Sequence, residues 1–482
     1  MIPPPAVVVI GGGMAGLTAA RTLVRRGLRV TLLERSGRFG GTVDARMLGG
    51  FRLDSGAESF STRSAVVPAL AEELGLTGRI VTPDAPGAWV QLPGEDLQSA
   101  AQPLPSSGVL GIPADPTDAA TRALLGPAGA LRAARDADLP PGPLATRPHV
   151  SLGELVRTRM GEEVLTRLVA PVAGGVFSAD PDDLDVDSVA PGLRSTMGRL
   201  GSLGAAAGAL RQAAPAGSAV AGLVGGMAQL RDALVQELLT AGVDLRTAEQ
   251  VSGLTRDGAG WTLATEHAAG RRTLSADGVV VATEGGAAVD LMAPALPALL
   301  PERPGSVPGV ALVTLIVDSA DLDAHPRGTG VLVARGVDGV AAKALTHATA
   351  KWAWLREQAG PGVHVLRLSF GRVGDTAEDV GLLTPDADLY RHALADASAL
   401  LGVRLTDAAV LDRDVVRGAG ALPHASVGHR ERVERIRAVV ADAPALAVTG
   451  GWLAGTGLVS VIGDARRRAD QLADALGAGG PL

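Results

Sequence analysis

Three glycines, an acid and an arginine near the start of the chain have the types and spacing to hold a dinucleotide. Gly11, Gly13 and Gly16 give G-x-G-x-x-G within GGGMAGLTAARTLVRRG, residues 11 to 27. The first glycine permits a tight turn, the second lets backbone approach a pyrophosphate, and the third lets a following helix pack close to the preceding strand. The N-terminus of that helix offers free N–H groups and a positive dipole end to phosphates. Glu34 lies 18 residues beyond Gly16. An acid there accepts hydrogen bonds from ribose hydroxyls and disfavours a 2′-phosphate.

The elements that must position these residues are legible around them. Ala6 to Ile10 read AVVVI, a short β-branched run suited to a parallel strand buried on both faces. Ala15, Leu17, Ala19, Ala20, Leu23 and Val24 supply the apolar face of a helix, Gly27 closes it, and residues 29 to 34 (RVTLLE) form a second strand ending in the acid. A lone G-x-G-x-x-G is weak evidence; set between two strands and opening a helix, it specifies a nucleotide site.

Composition narrows the class further. The chain has 482 residues, 46% of them apolar, which fits two or three domains. A net charge of −7 argues against a nucleic-acid partner. Lys343 and Lys351 are the only lysines, so the cationic side chains are nearly all arginine, which suits an acidic small molecule but also reflects a GC-rich codon bias. The absence of cysteine excludes disulfides, cysteine-ligated metals, thiol catalysis and a cysteinyl flavin. No metal site is expected. No secretory signal and no apolar run of roughly 18–20 residues is evident, so a cytoplasmic location is expected, with a peripheral membrane contact left open.

Arg38-Phe39-Gly40-Gly41 follows the second strand, and LDSGAESF follows at 53 to 60. This order of acid, R-x-G-G and D-x-G resembles the flavin amine oxidase superfamily. The resemblance implies non-covalent FAD, with Arg38 at the pyrophosphate and residues 56 to 59 along the flavin. The cofactor residues it implies are Gly11, Gly12, Gly13, Met14, Ala15, Gly16, Glu34, Arg35, Arg38, Gly40, Gly41, Thr42, Gly56, Ala57, Glu58, Ser59, Val251, Gly457, Leu458, Val459 and Ser460. Residues 445 to 476 read as strand, glycine turn and helix, and that helix would aim its N-terminus at the flavin ring.

Further segments narrow the resemblance. WVQLPGEDLQSAAQPLPSSGVLGIPADP (89 to 116), PVAGGVFSADPDDLDVDSVAPGL (171 to 193), HATAKWAWL (347 to 355), LRLSFGRVGD (366 to 375), ALPHASVGHRERVERI (421 to 436) and GTGLVSVIGDARRRAD (455 to 470) resemble the protoporphyrinogen/coproporphyrinogen III oxidase family in the same order. The resemblance covers essentially the whole chain and is closest to the type found in high-GC Gram-positive bacteria. Four positions depart from the family pattern. Gly418, Ala425 and Leu453 stand where aromatics are usual, and Gly87 stands where plant relatives carry a propionate-gripping arginine. Another arginine must then take that role.

The expected fold is α/β, with a discontinuous Rossmann-type, amine oxidase-like FAD-binding domain, an α+β substrate domain and an inserted helical subdomain. Residues 1–88, 213–300 and 431–482 are assigned to the first, 89–113 and 301–430 to the second, and 114–212 to the third. The implied reaction is oxidation of coproporphyrinogen III to coproporphyrin III in haem biosynthesis. It would proceed in three two-electron steps with O2 as acceptor and H2O2 released, and no catalytic residue is expected beyond the flavin. Protoporphyrinogen IX is the alternative substrate, and hand-off to a ferrochelatase stays open. Lys351 is either a flavin-side lysine or a surface or propionate-pairing one. His424 and His429 are either catalytic or loop-stabilising, and Asp180 before Pro181 is a turn residue. Gly174, Gly175, Gly225 and Gly226 are the candidates for packing a flat macrocycle against bare backbone. An amine oxidase would want aromatics flanking the flavin, against 2% aromatics and the single Tyr390 here; a carotenoid-type desaturase would want a long apolar tunnel. A flavin-binding scaffold without activity is the third alternative.

Overall fold

The computed structural model describes residues 3–84, 87–105, 108–213, 219–258, 260–305, 309–372, 374–376, 379–418, 425–455 and 457–478. Five parallel strands form one sheet, in the order Asp244–Arg246, Arg29–Leu33, Ala6–Ile10, Gly278–Val281, Leu446–Val448. The AVVVI run is buried on both faces because its side chains alternate between two cores. Val7 and Val9 join Leu17, Leu23, Leu234 and Ile462, from the helices Met14–Arg25, Ala228–Thr240 and Leu458–Ala475. Val8 and Ile10 join Val289, Met292 and Val440, from the helices Gly285–Met292 and His429–Ala441. Each such fully buried aliphatic side chain contributes about 1.5–3 kcal/mol. An antiparallel three-stranded sheet, Gln250–Asp257, Gly260–His267 and Gly270–Ala276, packs on this second side through Leu254, Trp261 and Leu263.

A second, seven-stranded sheet runs Val410–Gly418, Val310–Asp318, Val363–Phe370, Ala344–His347, Gly330–Val333, Trp89–Gln91, Ala101–Pro103. All neighbours are antiparallel except Gly330–Val333 beside Trp89–Gln91. One face carries Val313, Leu315, Val331, Leu345, Leu366, Leu368 and Phe370 into the largest core. The registers place Thr314, Arg367, Thr346 and Gly330 in one row on the other face, and Leu312, Ser369, Ala344 and Leu332 in the next. Period-two alternation thus gives the sheet a second face that is polar in part.

Helices from Ala119 to Ala213 cover that core. Arg159 and Asp136 are both 2% exposed and paired at 2.5 Å, with Asp136 also accepting from Ser202 Oγ at 2.7 Å and Gly204 N at 2.9 Å. The helical run widens into a π-turn at Leu165–Val169 just before Pro171, which cannot donate to the preceding turn. The run then ends at Ser178 in left-handed backbone, φ 54°. Among the described residues no helix is long and apolar enough to cross a membrane.

Candidate active site

The glycine turn sits at the carboxyl ends of the central parallel strands, where open sheets bind ligands. Gly11 N donates to Leu33 O at 2.8 Å. Gly13 caps Met14–Arg25 in extended backbone with no side-chain cap, so the first helical N–H groups face a ligand or solvent. A Cβ at Gly16 would lie 1.8 Å from Gly11 O, so only glycine lets the helix start this close to the strand. A Cβ at Gly13 would meet nothing within 4 Å, which leaves open space in front of the helix N-terminus.

Glu34 is held beside this turn, its carboxylate accepting from Gly12 N at 2.7 Å and Ser36 N at 2.8 Å. The R-F-G-G loop lies against the turn: Gly40 N donates to Gly12 O at 2.8 Å, and Gly13 and Gly40 form a bridge. Arg38 is on the rim, its side chain 58% exposed and its Nε 2.5 Å from Asp44. Arg35 pairs with Glu284 at the surface. Ala57 N donates to Thr42 O at 2.9 Å and so ties residues 56–59 to the same loop. Gly457 caps Leu458–Ala475, and Leu458 and Val459 pack on the core shared by Phe39 and Ala57; Ser460 stands in that first turn. Val251 packs on the core behind Val8 and Ile10. Free helix N–H groups, the opening at Gly13 and a carboxylate held at the strand end suit the diphosphate and ribose of FAD.

Residues 56–59 also form one wall of a cavity of about 460 Å3. Its floor is the two rows of the large sheet, from Leu312, Ser369, Ala344 and Leu332 to Arg367, Thr346 and Gly330; Gly175, Val176 and Ser178 at the end of the helical run form another wall. Val176 is 51% exposed, the exposure expected of an apolar side chain at a cavity wall.

One charged cluster lines this cavity. Glu58 receives Lys351 Nζ and, at 2.8 Å, Arg367 Nη2. Arg367 also donates to Asp54 O at 3.3 Å and Gly56 O at 2.9 Å, which joins the sheet to the loop of residues 54–58. Burial pushes the Glu58 carboxyl up, but Arg367 and then Lys351 outweigh it and hold it at about 2. Asp54 lies behind, accepting from Met227 N at 2.8 Å and Ala228 N at 3.2 Å; burial carries it to about 6 against those bonds and Arg367. Asp54, Glu58 and Arg367 also border a cavity of about 40 Å3 with Trp354, whose buried indole N–H has no partner among the described residues. That is space for a water molecule.

The structure separates the remaining candidates. Lys351 is not a surface lysine; its side chain is 15% exposed and ion-paired in the cavity wall. Gly175 lines the large cavity, whereas Gly174 borders a smaller recess beside Asp180, Arg335 and Arg372. Gly225 and Gly226, at φ 83° and 87°, make the turn into Ala228–Thr240, Gly225 beside Gln229 and Gly226 against the Asp54 carboxylate, and Gly226 borders the small cavity and not the large one. Asp180 closes a turn, its carboxylate accepting from Asp182 N at 3.0 Å. His429 begins the helix His429–Ala441 and does not line the cavity; His424 lies outside the described residues. Sequence reasoning missed Arg367, and it read Asp54 only as the acid of D-x-G, without its hold on the helix start at Met227 and Ala228. A signal for Arg367 existed, since it is a charge set inside the apolar strand run LRLSF.

Comparison with known proteins agrees with this geometry. The family described as flavin containing amine oxidoreductase matches residues 14–475. A coproporphyrinogen III oxidase from Mycobacterium leprae is 33% identical, covering 96% of this chain and 97% of that protein. One from Propionibacterium freudenreichii subsp. freudenreichii is 30% identical, covering 97% and 91%. A crystal structure of a protein from Exiguobacterium sp. 255-15, provisionally named protoporphyrinogen oxidase, superposes with a TM-score of 0.82 at 27% identity, covering 97% of this chain and 98% of that one. The chain therefore belongs to the flavin containing amine oxidoreductase family, within its protoporphyrinogen/coproporphyrinogen III oxidase group.

Proposed function

We propose that this chain is an FAD-dependent oxidase that converts coproporphyrinogen III to coproporphyrin III in haem biosynthesis. Three two-electron steps would consume three O2 and release three H2O2. The observation that carries the reading is the cavity itself: residues 56–59, expected along the flavin, face a broad sheet surface across about 460 Å3 with one charged cluster in its walls. The names of the M. leprae and Propionibacterium relatives support the substrate.

In this reading FAD is bound non-covalently and would supply the two-electron acceptor for one hydride per step, three in all, each from a different meso carbon. The chain supplies position. The turn from Gly11 to Gly16 and the N-terminus of Met14–Arg25 hold the diphosphate, Glu34 the ribose, and Gly40, Gly41 and Thr42 let the chain pass close. The sheet rows around Ser369 and Ala344 lay a flat macrocycle parallel to the wall, and Gly175 and Val176 exclude water from its edge. Glu58 fixes the ammonium of Lys351 and the guanidinium of Arg367. With Glu58 ionised this cluster carries one net positive charge, which favours an anionic ligand in a water-poor site. The three accompanying protons, two from pyrrole N–H groups and one from the fourth meso carbon, leave to water. Residues 1–88, 213–300 and 431–482 carry the cofactor, 89–113 and 301–430 the substrate, and 114–212 the helical cover.

Turnover under air with coproporphyrinogen III, protoporphyrinogen IX and benzylamine, followed by porphyrin fluorescence and peroxide release, tests the reading. Porphyrin formation with peroxide, fastest on coproporphyrinogen, is expected. Oxidation of the amine alone, or no turnover by FAD-loaded protein, overturns it.

A further inference from the structure

The second lysine, Lys343, is used by nothing described so far. It precedes the strand Ala344–His347 on the core side of the large sheet, and it is 2% exposed. Among the described residues its ammonium meets no carboxylate. It donates to Gly371 O at 2.7 Å and to Ser178 Oγ. A buried charge satisfied only by neutral acceptors is costly, and the carbonyl end of the helix stopping at Ser178 offsets part of that cost. Burial, aided by Arg372 and opposed by Asp375, pushes Lys343 down to about 7, so an anion nearby would hold the charged form.

Ser178 is where that charge reaches the cavity. It is 4% exposed, sits in left-handed backbone, and lines both the large cavity and the recess beside it. Its oxygen accepts from Lys343, which leaves its own O–H proton with no acceptor among the described residues. A hydroxyl polarised by an ammonium is a strong donor toward an anion. Arg372 lines the same recess, and among the described residues its guanidinium donates to the Val333 carbonyl at 3.0 Å and to no carboxylate.

We propose that Ser178, backed by Lys343 and flanked by Arg372, is a carboxylate subsite that grips one propionate of the substrate at the helical wall of the cavity. This rests on the porphyrinogen reading above and supplies a cationic anchor that Gly87 cannot. It makes Ser178 and Lys343 specificity residues for a carboxylate-bearing macrocycle.

The test is binding of coproporphyrin III and of its uncharged tetramethyl ester to FAD-loaded protein, read by porphyrin fluorescence, for the wild type, Ser178→Gly and Lys343→Met. Glycine suits φ 54°, so Ser178→Gly keeps the fold and decides the matter if Lys343→Met does not fold. The proposal expects binding of the acid to weaken roughly tenfold or more in each folded variant, the loss of one charge-assisted hydrogen bond. Binding of the ester should stay within about twofold of wild type. Equal losses for acid and ester, or no loss for either, overturn the subsite. A wild type that binds the acid alongside unaffected variants overturns the subsite alone. A wild type that binds neither porphyrin overturns the porphyrinogen reading and the subsite with it.

Discussion

Replacing Glu58 by glutamine removes one negative charge from the cavity wall while keeping its shape. Lys351 and Arg367, each 15% exposed, are then left facing one another without their shared partner. A carboxyl that falls from 4.5 to about 2 on folding stabilises the folded state at neutral pH. At about 1.4 kcal/mol per pK unit this amounts to about 3 kcal/mol. The folded value is depressed, so the contribution is complete above the unfolded value and is lost as pH falls through the folded one. Integration gives about 2 kcal/mol remaining at about pH 3.5. Urea unfolding of wild type and Glu58→Gln, followed by tryptophan fluorescence, should therefore show a gap of about 3 kcal/mol at neutral pH that narrows on acidification. A gap below about 1 kcal/mol at neutral pH, or one that widens in acid, would refute the reasoning.

Three further outcomes follow from the geometry. Gly16→Ala places a methyl group 1.8 Å from Gly11 O; the variant should purify without the visible flavin band, and full FAD content would contradict the role of the turn. Asp136→Asn leaves Arg159 buried without its counter-charge, so unfolding should require about 3–5 kcal/mol less than for wild type in a urea titration. Asp54 behaves opposite to Glu58. Its carboxyl is raised from 3.8 to about 6, so wild-type stability is lost as pH rises through about 6, by about 3 kcal/mol in all. Asp54→Asn should lack that fall, and thermal melts across this range would expose an unchanged slope.

The parallel sheet and the glycine turn at its end were legible because each rests on local signals. AVVVI can only be buried on both faces, and the glycines at 11, 13 and 16 have spacing that few other structures need. The acid at the end of the second strand and the R-F-G-G loop were readable for the same reason. The cavity was not. Glu58 meets Lys351 and Arg367 across separations of 293 and 309 residues, and those contacts depend on how the large sheet is ordered. The registers that align Thr314, Arg367 and Thr346 come from strand pairing, which a single sequence does not display. Gly225 and Gly226 misled because a Gly-Gly pair serves equally as a wall for a macrocycle and as a turn; here Asp54 binds the helix start beyond them and makes them a turn. The scarcity of lysine was visible but its use was not: Lys351 stands in the cavity wall, and Lys343 is buried behind Ser178.

The proposed function requires one bound flavin facing a porphyrinogen across the cavity. Mixing FAD-reconstituted protein with coproporphyrinogen III in the absence of oxygen addresses this directly. The visible flavin band should bleach as porphyrin fluorescence grows, and admitting air should restore the band. Protein that takes up no FAD, or a flavin band unchanged by coproporphyrinogen, would contradict it.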